Sequence, residues 1–189
     1  MTTVSTAACF EEALDDADRL VALAAEASLA LATPCEGWDL GALLGHMIGQ
    51  NQGFAAAVRD GDAPLAAYAA PELTPGEVLP RWSESADRLR EAFRAAPGER
   101  VLRLAEFDGR EVSVEIALGM QVVDCAVHAW DVATALGEEY RPSDAVVELV
   151  LGSARMIAAR PGGTPGVFAL PREAAGDDAW AEALALLGR

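Results

Sequence analysis

The sequence predicts a mainly all-α protein: a four-helix bundle with a short β-hairpin or extended segment before the fourth helix and a small C-terminal extension. Most of the 189 residues fall in long segments whose apolar side chains recur at helical spacing, and clusters of Pro and Gly separate these segments. One short stretch alternates apolar and polar residues instead, as strands do. We therefore expect one domain over residues 1–189, and a parallel α/β sheet is the weaker alternative.

The first two helices follow from composition and spacing. Residues 10–30 are rich in Ala, Leu, Glu and Asp, and this composition favours a helix. Pro34 and Gly37 break this helix, and Asp39 is placed to cap a second helix over residues 40–59. The apolar residues of the second helix fall on one stripe that should face the core: Leu40, Leu43, Leu44, Met47, Ile48, Phe54 and Val58.

Turn chemistry marks the third helix and the hairpin. Residues 60–74 contain Gly and Pro and predict a loop, and the segment from Thr74 to Glu77 resembles a capping box with Pro at the first helical position. A third helix should then run to about residue 96. Residues 101–114 carry alternating Val and Leu around a Phe-Asp-Gly-Arg turn signal, which predicts a short hairpin or extended stretch.

Three further helices complete the predicted architecture. Residues 115–136 predict the fourth helix, and Gly137 is a suitable residue to end it. A fifth helix is expected over residues 143–159, before the Pro- and Gly-rich segment 161–166. Residues 180–187 predict one more short helix, which forms the C-terminal extension.

Composition excludes several classes of function. Hydrophobic residues make up 52% of the chain but never run for the roughly 18 residues of a membrane span. The net charge of -16 would repel nucleic acid and anionic lipid surfaces. The first six residues lack the features of a secretory signal, and Cys9, Cys35 and Cys125 are too widely spaced for a disulfide framework or a CxxC zinc pair. We therefore predict a cytoplasmic protein that binds neither nucleic acid nor membranes.

The chain contains only two histidines, and both lie inside predicted helices. Asp124 precedes His128 by four residues, so the two side chains share one face of the fourth helix. His46 lies at the margin of the apolar stripe on the second helix and can point toward the fourth. Two imidazoles and one carboxylate can bind zinc, nickel or iron. In the alternative interpretation, each histidine is hydrogen-bonded to a backbone carbonyl and has a structural role.

Other polar residues extend or compete with this candidate site. Asp131 lies on the same polar face of the fourth helix, and Gln50 follows His46 by one turn of the second. Cys35 could be a reactive loop thiol, but the chain has no third histidine to activate it, and Cys125 fits a small core residue. We therefore favour the metal site over a nucleophilic cysteine.

Several motifs together resemble the DinB/YfiT-like family, in particular its mycothiol-dependent maleylpyruvate isomerase branch. The segment TPCEGWD at 33–39 leads into LLGH at 43–46, and DCAVHAWDVA at 124–133 resembles the second metal motif of the family. GVF at 166–168 and LLGR at 186–189 resemble its C-terminal ending. In their order and separation, these segments span nearly the full chain.

The resemblance implies a four-helix bundle with a three-residue metal site, in which His46 matches the first ligand and His128 the last. Asp124 stands where the family frequently has Glu, and its carboxylate reaches one methylene less far. Zinc is the expected metal, with nickel or iron as alternatives. Gln50 and Asp131 would support the ligands or contact the substrate.

The resemblance also implies an activity. It predicts a metal-dependent enzyme that uses mycothiol or a similar low-molecular-weight thiol as cosubstrate, as an S-transferase or isomerase of a small electrophilic molecule. A metal-dependent hydrolase and a non-catalytic small-molecule binding or self-protection protein are the alternatives. We expect a monomer or a homodimer.

Overall fold

The computed structural model describes residues 4–160 and 168–189, and in these residues the chain is mainly helical. The helices are α1 (Thr6–Ala24), α2 (Leu40–Asp60), α3 (Val78–Ala95), α4 (Val114–Leu136), α5 (Asp144–Ala158) and α6 (Ala179–Leu186). The strands are β1 (Asp62–Ala63), β2 (Val101–Leu104) and β3 (Arg110–Ser113). The predicted mainly all-α class is confirmed. The predicted break at 161–166 and the first two residues of the GVF motif lie outside the described residues.

The predicted caps are found at the helix ends. The side chain of Asp39 accepts a hydrogen bond from the Ala42 N–H at 2.9 Å and starts α2. Glu77 accepts a hydrogen bond from the Thr74 N–H at 3.0 Å, which completes the capping box before α3. Gly137 adopts a left-handed conformation with φ 73° at the end of α4. Each of these signals depends on one or two residues and the adjacent backbone, so each can be recognised in the sequence.

The first helix differs from its predicted range of 10–30. It begins at Thr6 and already ends at Ala24. Beyond that point, the carbonyls of Leu29 and Leu31 accept hydrogen bonds from the first two N–H groups of α2. The backbone of this segment therefore pairs with the start of α2 and does not continue α1, although its composition favours a helix.

A three-stranded sheet contains the predicted hairpin. β2 and β3 pair antiparallel, with Leu102 opposite Val112. β1 adds a third strand, parallel to β2, from within the segment predicted as a loop. Two residues are too few to show an alternating pattern, so sequence reasoning had no signal for this strand. The prediction of a wholly irregular loop over residues 60–74 is therefore wrong at residues 62–63.

The helix α4 lies at the centre of the fold. It packs against α1, α2 and α5, and most of its apolar residues are buried. Among the described residues, α4 is the one helix long and apolar enough to cross a membrane, yet 67% of that stretch is buried against the rest of the protein. Such burial is typical of the core helix of a folded domain. The C-terminal helix α6 packs on α5 and so belongs to the same bundle.

Three glycines on α2 allow a loop to lie directly on the helix. Gly45, Gly49 and Gly53 are spaced by four residues and therefore share one face, which we call the glycine groove. A Cβ atom at Gly45 would lie 2.6 Å from the carbonyl oxygen of Pro71, and one at Gly49 would lie 2.5 Å from that of Tyr68. A Cβ atom at Gly53 would overlap the Tyr68 ring. The groove thus holds this loop against α2.

We expect Gly49→Ala to lower the free energy of unfolding by about 1–3 kcal/mol, because the new methyl group meets main-chain atoms that cannot rotate away. Gly152 in α5 is the matched control, since a Cβ atom there meets nothing within 4 Å. Gly152→Ala should raise the free energy of unfolding by up to about 1 kcal/mol. Urea unfolding followed by circular dichroism measures both, and equal effects would contradict the close packing at the groove.

Candidate metal centre

The helices α2 and α4 bring the three predicted ligands together. His46 lies on α2, and Asp124 and His128 lie one turn apart on α4. Asp124 Oδ1 is 3.9 Å from His46 Nε2 and 3.5 Å from His128 Nε2, and one donor atom from each residue lies within 4.8 Å of the others. Donors about 2 Å from a tetrahedral ion are about 3.3 Å apart. Small side-chain shifts would therefore let this group hold one divalent cation.

The group is open to solvent on one side. The side chains of His46 and Asp124 are 26% and 21% exposed, whereas that of His128 is 7% exposed. The ring of Trp38 lies beside that of His46, with centroids 4.7 Å apart and planes tilted by 43°, and Trp38 is itself exposed. A small molecule can therefore approach the candidate ligands from solvent, as a catalytic metal site requires.

Asp131 lies on the opposite side of His128. Its Oδ2 accepts a hydrogen bond from His128 Nδ1 at 2.9 Å, while His128 Nε2 faces Asp124. Asp131 is fully buried. A carboxylate in this position fixes the ring orientation and the tautomer of a metal-binding histidine. Of the two roles considered for Asp131, support of His128 fits this position and contact with a substrate does not.

Two residues from distant parts of the sequence surround Asp131. Arg189 donates two hydrogen bonds to its carboxylate, from Nε at 2.8 Å and from Nη2 at 2.9 Å. The Cys35 thiol donates to Asp131 at 3.2 Å, and its sulfur accepts from Arg189 at 3.3 Å. Sequence reasoning assigned no role to Arg189, because no spacing relates it to α4; the only signal was its place in the LLGR motif.

Cys35, His128 and Asp131 form a second group whose donor atoms also lie within 4.8 Å of one another. The guanidinium of Arg189 already supplies positive charge to this group and is hydrogen-bonded to both Asp131 and Cys35. A metal ion would have to displace this guanidinium. The group of His46, Asp124 and His128 is therefore the better candidate.

Gln50 contacts a carboxylate that the sequence did not single out. Its side-chain amide donates to Glu106 Oε2 at 2.7 Å. Glu106 lies in a short 3₁₀ turn, Ala105–Phe107, between β2 and β3. Burial raises the pKa of Glu106 against the opposing effects of Gln50 and His46, and the charge of Asp124 raises it further. No helical periodicity relates this turn to α2, so Glu106 could be predicted only from the adjacent turn motif, which does not place it beside Gln50.

Neighbouring charges shift the pKa values within the site. Burial lowers the pKa of His128, but the carboxylates of Asp124 and Asp131 outweigh it and raise this pKa to about 10. Burial raises the pKa of Asp131, but His128 and Arg189 outweigh it and lower this pKa to about 2. His128 therefore keeps its proton at neutral pH unless a metal ion replaces it.

The other cysteines fit core positions. Cys125 is buried, and burial raises the pKa of its thiol well above the usual range. Cys9 is also buried, and burial is again the main cause of its raised pKa. Thiols of this kind are poor nucleophiles, because the thiolate is the reactive form. The structure therefore agrees with the interpretation of Cys125 as a core residue.

Comparison with known proteins identifies related folds. The family model described as mycothiol maleylpyruvate isomerase N-terminal domain matches residues 10–133. Two solved structures are similar: mycothiol-dependent maleylpyruvate isomerase, with a TM-score of 0.62 and 16% identity, and a histidine-to-alanine mutant of mycothiol-dependent maleylpyruvate isomerase, with a TM-score of 0.63 and 17% identity. Each alignment covers 79% of this chain and 68% of the solved chain. No curated protein sequence matches the chain.

The matched range accounts for most of the chain and contains His46, Asp124 and His128. It also contains the segments 33–46 and 124–133, on which the predicted resemblance mainly depends. At this low identity, the two solved structures show a shared fold, and that fold agrees with the family match. The resemblance to the mycothiol-dependent branch is confirmed: the chain belongs to the mycothiol maleylpyruvate isomerase N-terminal domain family.

Proposed function

We propose that the protein is a metal-dependent enzyme that uses mycothiol, or a similar low-molecular-weight thiol, to act on a small electrophilic molecule. It would be an isomerase or an S-transferase. The observation that carries this proposal is the convergence of His46, Asp124 and His128 on the open side of the contact between α2 and α4. Family membership supports the choice of the thiol, because mycothiol and an isomerase appear in the names of the family and of its solved relatives.

The donor set determines which chemistry is available. Two imidazoles and one carboxylate suit zinc first, with nickel or iron as alternatives. With one carboxylate among the three ligands, a divalent cation keeps a net positive charge, which favours an anionic further ligand. When bound, such an ion stabilises a thiolate over a thiol at neutral pH.

The chain's own residues would orient the reactants and hold a proton. Trp38 presents an aromatic ring beside His46, against which an apolar part of the thiol or of the substrate can pack. Glu106 can accept the thiol proton as a carboxylate, and burial raises the pKa of this group above its ordinary value. Gln50 holds that carboxylate through its 2.7 Å hydrogen bond.

A thiol can isomerise a conjugated double bond without being consumed. The thiol proton moves to Glu106, and the sulfur forms a bond to one carbon of the double bond, whose π electrons move into the adjacent carbonyl group. After rotation about the resulting single bond, the electrons return from the carbonyl group to re-form the double bond, and the sulfur leaves as a thiolate. Glu106 then returns the proton to that thiolate. In an S-transfer, Glu106 would instead give the proton to the adduct.

Two other functions are compatible with the same donor set. A hydrolase would activate water at the metal ion, and a non-catalytic protein would bind a small ligand there without turnover. Dependence on a thiol distinguishes the proposed enzyme from both. The cytoplasmic location, the monomeric or homodimeric state and the absence of nucleic-acid and membrane binding stay predictions from the sequence.

The metal ligands can be tested by substitution. We expect the wild-type protein, loaded with zinc and dialysed, to retain about one equivalent. His46→Ala and His128→Ala should retain far less, because each removes one of three donors. Elemental analysis by mass spectrometry measures the metal content, and circular dichroism checks that each variant is folded.

Asp87→Ala is the matched control for the carboxylate, because Asp87 is an exposed residue of α3 far from the donors in sequence. Asp124→Ala should reduce the retained zinc, whereas Asp87→Ala should not. Equal metal content in the wild type, both histidine variants and Asp124→Ala would rule out this metal site.

The role of the thiol can be tested separately. We expect mycothiol added to the Co²⁺-loaded protein to produce a sulfur-to-cobalt charge-transfer band, and S-methylated mycothiol to produce none, because it has no thiol proton to lose. Isomerisation of maleylpyruvate should then require mycothiol, while Glu106→Gln should lower the rate and leave the band in place. Hydrolysis without thiol would indicate the hydrolase, and saturable binding without turnover would indicate the binding protein; both would contradict the proposal.

A further inference from the structure

Asp131 forms buried contacts with His128, a candidate metal ligand, and with Arg189. We propose that Arg189 is a positioning residue of this site: its guanidinium fixes the carboxylate of Asp131, and that carboxylate fixes the ring of His128. This inference rests on the proposed function only for the presence of a metal ion. The hydrogen bonds that link Arg189 to Asp131 and Asp131 to His128 need no metal.

The geometry of the pair leaves Asp131 little freedom to rotate. Arg189 binds both carboxylate oxygens, Oδ1 through Nε at 2.8 Å and Oδ2 through Nη2 at 2.9 Å. A two-pronged contact of this kind defines the plane of the carboxylate as well as its position. Oδ2 also accepts from His128 and from Cys35. The direction in which His128 Nε2 points therefore depends on where Arg189 holds Asp131.

The buried negative charge of Asp131 also requires a nearby cation. Asp131 is fully buried and the side chain of Arg189 is 7% exposed, so water screens neither of them well. An imidazole that binds a metal ion does so in its neutral form. In the metal-loaded protein, Arg189 is then the cation that balances the buried carboxylate. Without it, the metal-loaded protein would bury the carboxylate of Asp131 with no cation to balance its charge.

Arg189 is itself held in place. Its backbone N–H donates to the carbonyl of Leu184 at 2.8 Å, and its Nη1 donates to the carbonyl of Leu187 at 3.2 Å. The Arg172 side chain is hydrogen-bonded to the carbonyl of the preceding residue, Gly188. The guanidinium therefore reaches Asp131 from a fixed backbone and not from a loose segment.

A purely structural role for the pair would make different predictions. An ion pair that only attaches the C-terminal segment to the core would change stability on substitution, but not the ring of His128 or its affinity for a metal. Arg155 offers a matched control of that kind, because it binds Glu182 at 2.8 and 2.9 Å on the exposed surface and ties α5 to α6. The Arg155–Glu182 and Arg189–Asp131 ion pairs both have two hydrogen bonds, but only the second involves the carboxylate that contacts His128.

The first measurement uses the metal-free protein. The ring nitrogens of His128 give ¹⁵N chemical shifts that report how strongly the Nδ1–H group is hydrogen-bonded to Asp131. We expect Arg189→Ala and Arg189→Lys to shift these signals. The lysine variant should shift them less, because it keeps the positive charge although it loses the two-pronged hydrogen bonding of the guanidinium. Arg155→Ala should leave them unchanged.

The second measurement is the affinity for Co²⁺ alone, obtained by competition with a chelator, together with the visible spectrum of the bound ion. Arg189→Ala should weaken binding about 10- to 100-fold and alter the spectrum, as is typical when the group that supports a metal-binding histidine is lost. Arg189→Lys should fall between this variant and the wild type, and Arg155→Ala should match the wild type. If Arg189→Ala does not fold, Arg189→Lys and Asp131→Asn provide the same comparison.

Folded Arg189 variants with wild-type ring signals and wild-type Co²⁺ affinity would overturn the inference. The proposed function fails in a different way, namely if the wild type binds no metal at its histidines. In that case the ¹⁵N shifts of the metal-free protein still decide whether Arg189 positions His128.

Discussion

The carboxylate of Asp131 is fully buried, and the folded protein has to balance its charge inside the core. Arg189 supplies a positive charge and two hydrogen bonds, His128 supplies its ring N–H, and Cys35 supplies a thiol. A buried carboxylate that lost these partners would be strongly destabilising. This one requirement ties together the segment before α2, the central helix α4 and the residues after α6, and all of them meet beside the candidate metal ligands.

The helix α4 consequently has two polar sides with different tasks. On the side that faces His46 it presents Asp124 and the Nε2 atom of His128, and toward the interior it presents Asp131. Within α4, Asp124 Oδ1 is 3.5 Å from His128 Nε2. Across to α2, the same oxygen is 3.9 Å from His46 Nε2. The spacing of the two helices therefore sets the distance from His46 to the two ligands on α4. The short side chain of Asp124 does not prevent the donors from converging.

Local signals in the sequence made most of the fold and the three candidate metal ligands predictable. The caps at Asp39 and Gly137 each depend on a few adjacent residues, and Asp124 and His128 share a face because a helix repeats regularly. The rest depends on contacts between distant parts of the chain. No spacing in the sequence relates Glu106 or Arg189 to α2 or α4. The residues after Ala24 do not continue the helix, and the carbonyls of Leu29 and Leu31 pair with the start of α2 instead.

At the glycine groove, the loop after α2 is held mainly through its backbone. Gly45 and Gly49 accommodate main-chain atoms of residues 68–71, so substitution of most side chains in that loop leaves these contacts intact; Tyr68 is the exception, since its ring occupies the space at Gly53. The short turn at Leu65–Tyr68 also contacts the turn that carries Glu106. The packing at the three glycines therefore constrains the backbone of this loop more than its side chains, which can vary, apart from Tyr68, while the loop stays against α2.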